Sequence, residues 1–309
     1  MANISLRALN AALSLGEPTV LADEAYYAEQ IHTLARRIAE EGIKVLLLAG
    51  PSGAGKTTTA NLIADALRAR GLESLVVSLD NFYRDHRDPA YPRLPDGARD
   101  MESCDALRVP EVRACLSRIL LGQSFSIPRY DFKIGRADSV QEYAAMLHGC
   151  VIVEGLHALN PAITEHLPAG GVLRLFVSVS TNITASDGTR LLSGRKMRFL
   201  RRLVRDSIFR GAEVAATLSV WQSVLDGEDK YLYPYKETAD VFFNTFHTFE
   251  PGVLKDMAAA RIEASGVADA YLDVVKHALA GILPLSPSLV PRASLIREFI
   301  GGGVYADRY

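Results

Sequence analysis

Long apolar runs are missing from this chain. Its continuous apolar stretches fall far short of the roughly 20 residues that span a bilayer. The opening segment, MANISLRALNAALSLGEPT, shows neither a basic-then-apolar order nor a small-residue cleavage site, so no export signal is read there. Cysteine is scarce as well. Cys104, Cys115 and Cys150 form no CxxC or other metal spacing, and three is not the even count of a disulfide framework; reduced, buried thiols are the expectation. There is no basic excess either. A formal net charge of −2 argues against a general nucleic-acid binder. No internal repeat and no low-complexity tract occurs. These absences together predict a cytoplasmic, soluble globular protein without nucleic-acid or membrane partners.

What is present is ordinary core-forming material arranged as alternating strands and helices. Residues 24–41 carry Ile31, Leu34 and Ile38 at helical spacing and end at Gly42. IKVLLLAG (43–50) is a buried parallel strand by composition, and residues 57–70 form the helix after it. ESLVVSLD (73–80) is the second strand, and residues 109–122 form a short helix with Pro110 in its first turn. Two extended pieces, 124–132 and 138–143, suggest a hairpin outside the main sheet. CVIVEGL (150–156), VLRLFVSVS (172–180) and ADVFFNT (239–245) complete the strands, with helices expected over 197–210 and 213–226. Strands alternating with helices predict a mainly parallel sheet covered on both faces. The expected organisation is an N-terminal helical extension (1–42), a core (43–246) and a C-terminal helical extension (247–309). The extensions either cover the sheet or form a homo-oligomer interface.

GPSGAGKT, Gly50 to Thr57, satisfies G-x-x-x-x-G-K-[ST], and it lies between a buried strand and a helix as a phosphate-binding loop requires. The backbone of Gly50, Ser52, Gly53, Ala54 and Gly55 is expected to wrap a triphosphate, with Thr58 in the first turn of the helix. Lys56 supplies a point charge for the β- and γ-phosphates, and Thr57 a hydroxyl for Mg²⁺. No NKxD guanine reader is present, and no DxxG follows the second strand. That favours ATP and a transferase or ATPase over a regulatory GTPase.

Phosphoryl transfer further requires a group for the acceptor hydroxyl, a metal-facing carboxylate and positive charge over the phosphoryl. Ligands of an open parallel sheet sit at the carboxyl ends of its strands. Asp80 and Glu154 end two of them, the first a candidate base and the second a candidate Mg²⁺ group; the alternative is that each carboxylate caps a turn. Arg198, Arg201, Arg202 and Arg205 share one helical face. They are either the solvated face of an amphipathic helix or a lid over phosphates, and their density favours the lid.

The ordered set GPSGAGKT, LDNFYR, IPRYDF, VEGLHALN and RFLRRLVRD resembles the uridine kinase and phosphoribulokinase family of P-loop small-molecule kinases, over about residues 43–246. SLIREFIGG (294–302) is similar to the ending of bacterial uridine-kinase-like members. The resemblance implies a three-layer P-loop NTPase fold of the nucleoside-kinase type, with an Arg-rich helical lid at about 181–212 and a small β-hairpin excursion. It implies ATP and Mg²⁺ as cofactors and a nucleoside-like acceptor, uridine or cytidine first. By position, Asp80 is then the catalytic base and a neighbour of Mg²⁺, and Tyr83 flanks the acceptor. Glu102 falls where the family places an Asp for the ribose hydroxyls, and Tyr130 and Phe132 line the base pocket. Thr57 and Glu154 complete the metal site. Lys56 and Arg201 assist transfer, while Arg198, Arg201 and Arg205 act as lid arginines, Arg198 toward the acceptor and the other two toward ATP. Two departures stand out. Uridine kinases carry a histidine a few residues after YDF, whereas KIGR (133–136) has none. His157 in EGLH echoes the phosphoribulokinase side of the family or is a turn residue without chemistry. The polar stretch 181–193 reads as a mobile hinge.

Overall fold

The structure, a computed structural model, describes residues 2–168 and 170–306. The strands are β1 (Ala2–Ser5), β2 (Val45–Ala49), β3 (Glu73–Ser78), β4 (Phe125–Asp131), β5 (Arg136–Tyr143), β6 (Gly149–Glu154), β7 (Val172–Ser178), β8 (Thr181–Thr184), β9 (Arg190–Leu192) and β10 (Val241–Asn244). The helices are α1 (Leu6–Leu15), α2 (Glu17–Glu40), α3 (Lys56–Arg68), α4 (Val109–Leu120), α5 (Pro161–Thr164), α6 (Gly194–Arg210), α7 (Val214–Tyr231), α8 (Glu250–Ser265), α9 (Ala270–Ala280) and α10 (Arg297–Ile300).

Five strands form the central sheet in the order β10-β7-β2-β6-β3, every neighbouring pair parallel. Strand β2 explains the layering. All five of its residues are buried, and successive side chains leave on opposite faces. Leu46 and Leu48 join the apolar core built with α2, α3, α6 and α8. Val45, Leu47 and Ala49 join the second core, against α4 and the hairpin side. A strand buried on both faces is apolar throughout, and that is why IKVLLLAG reads as one continuous run. The expected three-layer α/β P-loop architecture is therefore observed, and the β4–β5 hairpin stands outside the sheet as an antiparallel pair. Among the described residues no helix is long and apolar enough to cross a membrane.

Two regions differ from the sequence reading. The N-terminal segment opens with a strand before its helices: β1 pairs in parallel with β8, Ala2 opposite Thr181. The stretch 181–193, expected to be a mobile hinge, is instead a small sheet in the order β1-β8-β9. Its polarity is used internally. Asn182 donates to Asn3 Oδ1 at 3.1 Å, Asn244 donates to Thr181 Oγ1 at 2.7 Å, and Ile183 is fully buried.

Candidate active site

The P-loop leaves β2 at Ala49 and enters α3 at Lys56. Gly53 (φ 72°) and Gly55 (φ 85°) take left-handed conformations that L side chains rarely adopt, which is the backbone reason for glycine at both places. Sheet register then fixes the other edge residues. Glu154 lies opposite Leu48 of β2 and opposite Ser78 of β3. Asp80 follows Ser78 by two residues, in a short 3₁₀ turn (Leu79–Phe82) rather than in the strand itself. The Ser78 side chain accepts from the Asp80 N–H at 3.3 Å and starts that turn.

Lys56 acts electrostatically on Asp80, Glu102 and Glu154, and Asp80 acts on both glutamates, so the four lie near one another. Asp80 meets solvent, yet protein surrounds it closely enough that desolvation raises its carboxyl above the ordinary range, against the pull of Lys56 and Arg210. Burial lifts Glu154 to about 7, with Lys56 lowering it and Asp80 raising it. Burial also lifts Glu102 to about 7, with Glu228 adding to the rise and Arg202 and Lys56 opposing it. Two mutually repelling carboxyls, Asp80 and Glu154, are hard oxygen donors of the kind that suits Mg²⁺. Among the described residues no three His, Cys, Asp or Glu side chains converge as a metal cage. A site of one or two carboxylates completed by substrate phosphates is how Mg²⁺ is usually held.

Beside Asp80 stands an aromatic wall. The Tyr83 ring lies 5.7 Å from Tyr130 and 5.9 Å from Phe132, and Tyr130 lies 5.0 Å from Phe132. Asn81 accepts from the Tyr130 N–H at 3.4 Å, tying the hairpin to the Asp80 turn. His157 sits in the edge loop after β6. Burial holds it down to about 4, and neither ring nitrogen makes a well-formed hydrogen bond, the backbone of Glu102 being its neighbouring polar group.

The arginines of α6 divide into two groups, and here the structure departs from the lid expectation. Arg198 and Arg201 are buried beneath the P-loop, not displayed over it. Arg198 forms a two-pronged pair with Glu228 (2.7 and 2.8 Å) and donates to the Ser52 carbonyl at 2.8 Å. Glu228 also accepts from the Ser52 N–H at 2.9 Å. Arg201 forms a two-pronged pair with Glu250 (2.5 and 2.8 Å) and donates to the carbonyls of Gly53 (3.0 Å) and Thr245 (2.7 Å). The physical reason is pairing: carboxylates from α7 and α8 compensate the guanidiniums and let them be buried. The accessible cations are others. Arg202 donates to Ser52 Oγ at 3.2 Å and pairs with Asp206. Arg205 lies between Asp206 (3.5 Å) and Glu298 (3.7 Å). Arg210, absent from the sequence candidates, acts on Asp80.

Sequence reasoning also missed His86. Its N–H donates to the Gly135 carbonyl at 2.8 Å, and its ring lies 6.1 Å from Tyr130 and 5.8 Å from Tyr91. A side chain at Gly135 (φ 70°) would collide with that ring. A histidine from the irregular segment that follows the Asp80 turn therefore stands over the hairpin turn whose own sequence, KIGR, lacks one. Its Nε2 and the hydroxyls of Tyr91 and Tyr130 are buried without a hydrogen-bond partner.

A parallel sheet with a P-loop at its carboxyl edge, facing two carboxylates and an aromatic hairpin, defines a P-loop kinase. Comparison with known proteins is specific beyond that. Residues 45–250 match the model of the Phosphoribulokinase / Uridine kinase family, and the chain belongs to that family. It is 29% identical over 225 residues to a uridine kinase of Deinococcus deserti, covering 72% of this chain and 96% of that one. With a uridine kinase of Halobacterium salinarum it shares 28% over 197 residues, covering 63% and 76%. Among solved structures, a putative fructose transport system kinase from Silicibacter sp. TM1040 superimposes with a TM-score of 0.53 at 19% identity. That match covers 69% of this chain and 98% of that one, a likeness of fold.

Proposed function

We propose that this kinase transfers the γ-phosphoryl group of ATP to a hydroxyl of a small planar-ringed acceptor, the 5'-hydroxyl of a pyrimidine nucleoside first. The observation that carries the reading is Asp80, a carboxylate with a raised pKa, set between the P-loop lysine and the aromatic wall of Tyr83, Tyr130 and Phe132. In this reading Asp80 takes the acceptor hydroxyl's proton as its oxygen attacks the γ-phosphorus. The bond from that phosphorus to the β–γ bridging oxygen breaks, and ADP leaves. Lys56, Arg202, Arg205 and Arg210 neutralise the charge that spreads over the transferring group. Arg198 and Arg201 hold the loop in shape from behind. Thr57, Asp80 and Glu154 would hold Mg²⁺, which neutralises phosphate charge when bound. Glu102 faces the acceptor's hydroxyls, and His86 with the Tyr91 and Tyr130 hydroxyls gives a ring its polar contacts.

A second reading is a kinase for another small alcohol that itself carries an anionic group, such as a sugar phosphate. Arg99 supports it by bringing positive charge to the His86 and Tyr130 side of the wall. An acceptor panel with ATP separates the two. Uridine or cytidine turnover supports the first, turnover of sugar phosphates alone supports the second, and ATP binding with no acceptor phosphorylated defeats both. In the same assay Asp80→Asn is expected to lower kcat by at least about 100-fold while ATP affinity stays within about threefold. Unchanged turnover removes Asp80 from the base role.

A further inference from the structure

The first turn of α3 offers its N–H groups to whatever anion occupies the P-loop, and in P-loop proteins those backbone donors cradle the α- and β-phosphates. Here one of them is already taken. The Glu298 carboxylate accepts from the Thr58 N–H at 3.3 Å and from the Thr58 hydroxyl at 2.8 Å, through the same oxygen. Its other oxygen faces Arg205 at 3.7 Å. The carboxylate has arrived from 240 residues away and is almost wholly buried.

Its neighbours pack against the P-loop and α6. Leu295 packs on Gly55 so closely that a Cβ there would stand 2.7 Å from its side chain. Phe299 lies under the Arg201 guanidinium, 4.9 Å from its centre. The segment is held in shape from outside the cleft: Arg297 donates to the carbonyls of Pro287, Val290 and Gly301.

We propose that residues 294–300 are an internal occupant of the nucleotide site, with Glu298 standing in for a nucleotide phosphate, and that nucleotide binding must expel it. The inference rests on the ATP reading above. Two anions cannot share the Thr58 donors, and a phosphate beside a buried carboxylate is repelled at short range. Exchange also liberates Arg205, which Glu298 holds in the closed arrangement, so the incoming nucleotide gains a cation as the segment leaves. Nucleotide therefore binds the open form alone, and its apparent affinity is reduced by the fraction of molecules that are closed.

Two measurements on the full chain test this. ATP binding is measured by calorimetry for the wild type, Glu298→Gln and Glu298→Ala, with Lys56→Ala as the control for the phosphate site. Removing the charge is expected to tighten ATP by about tenfold, equivalent to about 1.4 kcal/mol. Should Glu298 merely cap α3 or belong to the ATP site, affinity is unchanged or weaker, and the inference is overturned. A wild type and variants that all fail to bind ATP defeat the ATP reading instead. In the second measurement, hydrogen exchange of the unmodified protein is followed with and without Mg·ATP. The amides of 294–300 are expected to exchange faster when nucleotide is bound, while those of 53–58 slow. Protection of both segments refutes the expulsion, and it does so without any variant that must fold.

Discussion

Replacing Glu250 by Gln removes one charge at the centre of the protein and tests whether Arg201 is a structural support. Both partners of this pair are fully buried, and Arg201 spends its remaining donors on the Gly53 and Thr245 carbonyls. Deleting one charge of such a pair strands the other, at a cost of about 3–5 kcal/mol. For a chain of this size each kcal/mol lowers the melting temperature by about 2 °C, so Glu250→Gln is expected to melt about 6–10 °C below the wild type. The paired substitution Arg201→Met with Glu250→Leu removes both charges. It leaves two carbonyls short of a donor, at about 1 kcal/mol each, so it is expected to recover between about a third and about three fifths of the lost stability. It is still expected to weaken nucleotide binding, because the loop has lost its rear anchor. Scanning calorimetry gives the stabilities, and titration calorimetry the nucleotide affinity. A Glu250→Gln protein that melts within 2 °C of the wild type refutes the reasoning. So does a double variant no more stable than the single one.

Without metal, the share of the stability that Glu102 and Glu154 contribute is expected to fall as pH rises through the interval from about 4.5 to about 7. The buried His157 and His247 set the opposite trend, their pKa values being held down to about 4 and about 3. Glu102 and Glu154 have folded pKa values of about 7 against 4.5, so these two carboxyls bind more protons in the folded form and, through them, each pH step upward favours unfolding. Denaturant titrations at pH 5 and pH 8 check this, and Glu102→Gln and Glu154→Gln are each expected to shift the difference between the two toward greater stability at pH 8. His86→Ala is expected to raise the acceptor KM by about 10-fold or more with little change in ATP affinity, since the lost hydrogen bond lies on the acceptor side. Steady-state kinetics with each substrate varied in turn decide it, and an effect confined to ATP refutes the placement.

The parts of the site that were legible in the sequence are those built from neighbouring residues. A P-loop is contiguous, and a strand that ends in Glu154 and another that runs into the Asp80 turn announce the sheet edge through a change from apolar to acidic. The hairpin was legible for the same reason. The arginine stripe of α6 misled because period alone cannot tell a solvated face from a buried, paired one. Here α6 is buried nearly all round, and the partners Glu228 and Glu250 lie 30 and 49 residues from their arginines. His86 was hidden in a charged, irregular run, and only the packing of that run against Gly135 gives it a site. The stretch 181–193 looked like a hinge because one of the three strands of its sheet comes from residues 2–5.

The buried arginines also bear on how binding is timed against folding. In a trans peptide the carbonyl of one residue and the N–H of the next point in opposite directions, and this chain has no cis peptide among its described residues. By fixing the Ser52 carbonyl, Arg198 turns the Gly53 N–H the other way, off the guanidinium. The orientation of that amide is settled when α6, α7 and the loop pack together, long before any phosphate arrives. Ordering of this stretch belongs to the cost of folding rather than of ligand capture, and less of a ligand's interaction energy goes to immobilising backbone. Whatever limits the rate of nucleotide entry must then lie in what covers the loop, not in the loop itself.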